Sequence, residues 1–225
     1  MIGTLEPVDV VRQQVILVGH HDSPYIFSFL ERFQSIAFLR FLLGMASFIW
    51  MCASTVILSV LQLWSSEPQS AHGALLWISA VGLPFAVQLF FMMSGTPSPG
   101  AGDNLNATSM GLEIVRHFKG EKTGGAPLKH TRLVVLSTDG EEIGQRGAIE
   151  YARRHGAGLR ATPTHVFNMD SIYFYKDLAV VSRDRNFTCR LSETMVTDIL
   201  EVAAESGLRV KRMAIPFGGG GTDAA

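Results

Sequence analysis

Four polar clusters in this chain have the make-up of groups that hold metals or move protons: His20-His21-Asp22, Asp103-Asn104, Glu141-Glu142 and Asp170. The first closes the apolar run Gln14-Val15-Ile16-Leu17-Val18. That run is short, β-branched and bounded by Gly and Ser, and reads as a buried strand. Side chains two apart on a strand share a face, so His20 and Asp22 point together and His21 points away. Zinc needs a neutral imidazole in a fixed tautomer, and a carboxylate accepting the other ring N–H supplies both tautomer and orientation. Alone, such a pair is also the ordinary content of a capped turn, because two groups do not close a coordination shell.

The other clusters share that position type. Glu141 and Glu142 come after the apolar run Leu133–Leu136 through Ser137-Thr138-Asp139-Gly140, Asp170 ends the run Thr164–Met169, and Asp103 opens a helix expected to reach about Phe118. In open α/β sheets the ligand crevice lies beyond the carboxyl ends of the strands, where residues distant in sequence converge. Neighbouring carboxylates in a tight turn diverge, so one of Glu141 and Glu142 can bind a metal while the other takes a proton from water. Asp103, with two oxygens, can bridge two ions about 3.5–4 Å apart. Each cluster taken singly is a solvated turn or a helix cap. Their order and shared context favour a site.

The elements that would position these groups alternate. Strands are expected at Ile2–Leu5, Gln13–Val18, Leu133–Leu136, Thr164–Met169, Leu178–Val181 and Arg209–Ile215, with helices at Asp103–Phe118, Arg146–His155 and Ser192–Glu205. This is an α/β pattern with a mainly parallel central sheet flanked by helices. It is interrupted, since neither Phe41–Ser66 nor Pro68–Gly102 contains a charged residue. Two helices of membrane-spanning length fit there, at about Ile36–Trp64 and Gly73–Ser94, joined by the polar break Ser65–Ser70 as a transmembrane hairpin. Soluble core helices are the competing reading, although these usually keep a polar stripe. The expected plan is therefore residues 1–35 as the first part of one domain, 36–96 as the inserted hairpin and 97–225 as the second part. Arg32 and Arg40 flank the first helix, and positive-inside bias would then favour the cytoplasm for the flanking domain, although the sequence leaves the side open.

With 225 residues and 47% hydrophobic content, the chain has a net charge of −1, which gives no support to a nucleic-acid-binding surface. Cys52 and Cys189 match no zinc-finger or redox spacing. The N-terminus lacks the basic and apolar regions of a cleavable signal peptide.

The series Gly19-His20-His21-Asp22-Ser23, Pro99-Gly100-Ala101-Gly102-Asp103-Asn104, Asp139-Gly140-Glu141-Glu142-Ile143-Gly144 and Asn168-Met169-Asp170 resembles the zinc exopeptidases of metallopeptidase family 28. The resemblance covers residues 1–35 and 97–225. It implies a peptide or aminoacyl substrate and two zinc ions bridged by Asp103, with His20 and Asp170 on one ion and Glu142 on the other. Glu141 would be the general base, and Asp22 would orient His20. The family's last zinc ligand, a downstream His, has no match before Ala225, so a fragment is expected, and the Gly218–Asp223 loop resembles a segment near the substrate pocket. An aminopeptidase leads. A glutaminyl-cyclase-like aminoacyltransferase with one zinc shares the fold and the acidic set, and a non-catalytic membrane domain is the reading from a different class.

Overall fold

The computed structural model describes residues 1–33, 35–64, 69–121, 124–184, 188–215 and 220–224. In chain order the strands are β1 (Ile2–Leu5), β2 (Gln13–His20), β3 (Tyr25–Phe27), β4 (Met93–Pro97), β5 (Thr131–Thr138), β6 (Thr164–Asn168), β7 (Ala179–Asp184), β8 (Cys189–Arg190) and β9 (Lys211–Ala214). The helices are α1 (Ser28–Phe33), α2 (Ala37–Trp64), α3 (Gln69–Val87), α4 (Asn106–Phe118), α5 (Arg146–Ala161) and α6 (Glu193–Glu205). They fall into two units, Met1–Pro24 with Pro99–Ala225, and Tyr25–Ser98.

The first unit is α/β. Its main sheet has the order β1-β5-β2-β6, with β2 parallel to both β5 and β6 and β1 antiparallel to β5. A strand buried on both faces needs apolar side chains at every position, which is why β2 lacks alternation. Ile16 and Val18 join Val134 and Leu136 against Tyr151 and Leu159 of α5. On the other face, Leu17, Leu133 and Val135 pack with Ala107 of α4 and with Met169. The register pairs His20 with Thr138 and Val18 with Asn168. The carboxyl ends of the three parallel strands are therefore level, and the segments leaving them meet at one edge of the sheet.

Gly19 decides how closely α4 approaches. A Cβ there would lie 2.9 Å from the Ala107 Cβ and 3.0 Å from the Thr108 nitrogen, so only glycine lets the helix rest on the end of β2. A second sheet, β8-β7-β9, is covered by α6, whose first turn is capped by the Ser192 hydroxyl accepting from the Met195 N–H at 3.3 Å.

The second unit is a helical hairpin. Gly44 faces Leu89, Gly82 faces Ser47, and the Ser54 and Ser79 hydroxyls are 3.0 Å apart, so α2 and α3 run antiparallel along a seam of small residues. Both helices are long and apolar enough to cross a membrane, and only 11% and 6% of their apolar stretches are buried, unlike the core helices of a soluble domain. The second helix stops earlier than the expected Ser94. α3 ends at Val87, a tight turn spans Gln88–Phe91, and Met93 enters β4, whose pairing with β3 (Tyr25 with Pro97, Phe27 with Met93) satisfies the backbone differently. The expected break between the helices lies, over 65–68, outside the described residues, as do 216–219 of the glycine-rich loop.

Candidate metal centre

His20, the last residue of β2, is 2% exposed and lies at the centre of the site. Its Nε2 is 3.1 Å from Asp103 Oδ1, 3.9 Å from Asp170 Oδ1 and 4.0 Å from Glu141 Oε2. Two sets of ligand atoms converge there, each lying within 4.8 Å of one another: His20, Asp103 and Asp170 in one, and His20, Glu141 and Glu142 in the other. On its far side, His20 Nδ1 is 3.1 Å from the main-chain carbonyl of Asp22 and 3.4 Å from the Asp22 carboxylate. The hydrogen bond of the ring goes to the Asp22 main-chain carbonyl, and the carboxylate stands beside it. The second Asp22 oxygen accepts the Glu142 N–H at 3.2 Å and ties the Glu141-Glu142 turn to the end of β2.

Asp103 reaches this place by a different route from the expected helix start. Its backbone is extended (φ −130°, ψ 91°), the Asp103–Asn104 peptide is cis, and α4 begins only at Asn106. Two amides hold this irregular turn against the loop carrying Asp170. The fully buried Asn104 donates to the Met169 carbonyl at 2.9 Å, and Asn106 donates to that of Ile172. Next to them the Tyr173 ring lies on the backbone of Gly102, where an added Cβ would sit 2.1 Å from the ring. Sequence reasoning assigns no role to either amide or to Tyr173; Asn104 stands in a recognisable motif, but its partner is 65 residues away. His165 sits on β6 opposite Val15, away from the level strand ends.

The electrostatics arise from crowding acids around one imidazole. Burial opposes the charged form of His20, but the hydrogen bond to Asp103 and the charges of Asp170 and Glu141 outweigh it and raise its pKa to about 9. Burial raises Glu141 to about 8, with the Asp170, Asp223 and Glu142 charges adding to the shift and His20 opposing it. Glu142 rises to about 7 through burial and the charges of Asp103, Asp22 and Asp170, again opposed by His20. Asp170 and Asp223 are also pushed upward, first by burial. Asp223, beyond the expected ligand set, accepts a hydrogen bond from the Thr138 hydroxyl at the end of β5. Such a group of carboxylates around a histidine suits a divalent cation, which would replace the protons that otherwise limit their repulsion. Asp22 Oδ1 is buried without a hydrogen bond, and His20 Nδ1, 3.4 Å away, is its ion-pair partner.

The family model for peptidase family M28 matches residues 86–223, more than half of the chain. The chain belongs to peptidase family M28. This makes it a metallopeptidase-type hydrolase by family, and the matched stretch contains Asp103, Glu141, Glu142 and Asp170. His20 and Asp22 precede the match, and the M28 unit recruits them through the parallel pairing of β2 with β5. Comparison with curated proteins finds no match.

Proposed function

We propose that this M28 chain is a membrane-anchored, zinc-dependent exopeptidase of aminopeptidase type. The observation that carries the reading is the convergence of two ligand sets on His20 at the ends of β2, β5 and β6. His20, Asp103, Asp170 and Glu142 would hold the metal. Bound zinc would supply Lewis acidity to the scissile carbonyl and to water. Glu141 is the general base: it takes a proton from the attacking water and delivers it to the departing amine. Its place in the ligand cluster, with Oε2 4.0 Å from His20 Nε2, puts the carboxylate beside the position where zinc-activated water would form. Asp22 is a positioning residue that holds the His20 ring with its carbonyl and carboxylate and the Glu142 backbone with its second oxygen.

The exposed apolar surfaces of α2 and α3, among them Phe38, Leu63 and Trp77, support anchoring in a bilayer. The test is to purify the full-length protein from membranes, count zinc per chain and assay aminoacyl-anilide hydrolysis. Two zinc ions with activity lost in Glu141→Gln are expected. One zinc with glutaminyl cyclisation would replace the peptidase reading by the aminoacyltransferase one, and no bound zinc would leave a non-catalytic domain. Recovery of the protein in the soluble fraction after carbonate extraction would refute the anchor.

A further inference from the structure

His21, the second residue of the histidine doublet, has no part in the scheme above. Its Nδ1 lies 2.9 Å from the Ser137 hydroxyl, and the Ser137 hydroxyl lies 3.2 Å from that of Thr108. The Thr108 hydroxyl in turn donates towards the main-chain carbonyls of Gly19 at 3.3 Å and His20 at 3.4 Å. Ser137 is 2% exposed and Thr108 9% exposed, so two of the three links are shielded from water. One arrangement satisfies every donor: His21 Nδ1–H to Ser137, Ser137 to Thr108, and Thr108 to the carbonyls.

These links join the three elements that deliver the ligands. His20 ends β2 and His21 follows it directly, Ser137 lies in β5 just before the Glu141-Glu142 turn, and Thr108 lies in the first turn of α4, directly after the segment carrying Asp103. The close approach that Gly19 permits is what brings Thr108 within reach of the strand. A hydroxyl contact on the carbonyl of His20 fixes the backbone from which the imidazole projects.

We propose that His21, Ser137 and Thr108 form a positioning chain that sets the geometry of the His20–Asp103 ligand pair and hence the affinity of the metal. The inference rests on the zinc reading above. The test uses full-length protein, zinc alone as the ligand, and competition with a chromophoric chelator. Thr108→Val keeps the shape and removes the hydroxyl; zinc affinity should fall about 10–100-fold, the usual cost of losing such a supporting partner. Thr108→Ser should restore it. His21→Phe changes an exposed side chain and should weaken zinc in the same direction even if Thr108→Val does not fold. Combining Ser137→Ala with Thr108→Val should cost less than the sum of the two losses, because the two residues share one chain. At saturating zinc, kcat should fall while KM stays. Wild-type zinc affinity in both Thr108→Val and His21→Phe, additive losses, or no rescue by serine would overturn the positioning chain. A wild-type protein that binds no zinc would instead refute the metal reading on which it rests.

Discussion

Metal uptake by this site should be steeply pH-dependent. Without a cation His20 holds its proton up to about pH 9 and Glu142 up to about pH 7. Both must lose a proton to become ligands, so zinc competes with protons at each. Below pH 7 two protons are displaced and affinity should rise about 100-fold per pH unit; between pH 7 and 9 only His20 contributes, at about tenfold per unit. From pH 6 to pH 8 the gain is therefore about a thousandfold, most of it below neutrality. The assay is zinc competition against a chelator of known proton affinity, with proton release measured by calorimetry in buffers of different ionisation enthalpy. Zinc affinity unchanged from pH 6 to pH 8 after correction for the chelator, or binding without proton release, would refute the reasoning, because the acids would then be ionised before the metal arrives.

The same shifts predict the stability of the metal-free protein. His20, Glu141 and Glu142 all hold protons more tightly folded than unfolded, so stability should fall as pH rises from about 5 to about 9, and saturating zinc should remove the part of that slope owed to His20 and Glu142, read by denaturant melts at fixed pH. Glu141→Gln should lower kcat by about 10²–10⁴-fold with zinc content retained, measured on an aminoacyl anilide. Asp22→Asn should weaken zinc by about tenfold, less than Asp22→Ala, since an amide oxygen can still accept from the Glu142 backbone while the main-chain carbonyl that receives His20 Nδ1–H survives in both. Gly19→Ala should cost about 1–3 kcal/mol in a thermal or denaturant melt, because the added methyl meets α4 at 2.9–3.1 Å.

Much of this arrangement is legible in the order of residues alone. The strands ending in His20, Thr138 and Asn168 stand out as short apolar runs, and the polar residues after them are recognisable as one series because level strand ends gather the loops that leave them. The two apolar helices are equally plain, since about 20 uncharged residues leave few other readings. The features that escape are set by contacts across the chain. Asp103 looks like a helix cap because Asp is a common cap, yet the amides of buried Asn104 and half-buried Asn106 pull its turn towards Met169 and Ile172, leaving it extended. Sequence spacing likewise says that His20 and Asp22 share a face, but not that the main-chain carbonyl of Asp22 takes the ring N–H.

The pairing of Tyr25 with Pro97 closes the hairpin unit on itself at its base. In folding, this makes a long interruption behave as a short one. The chain between the end of β2 and the start of β5 would otherwise have to be gathered as one large loop before those strands could pair, and closure cost grows with the logarithm of loop length. With the insert already closed, the effective loop shrinks by well over half, a relief of about 1 kcal/mol. The order of synthesis favours the same outcome. β2 emerges first and waits, the hairpin can form from local contacts alone, and β5 arrives tethered to its partner strand through an element already finished.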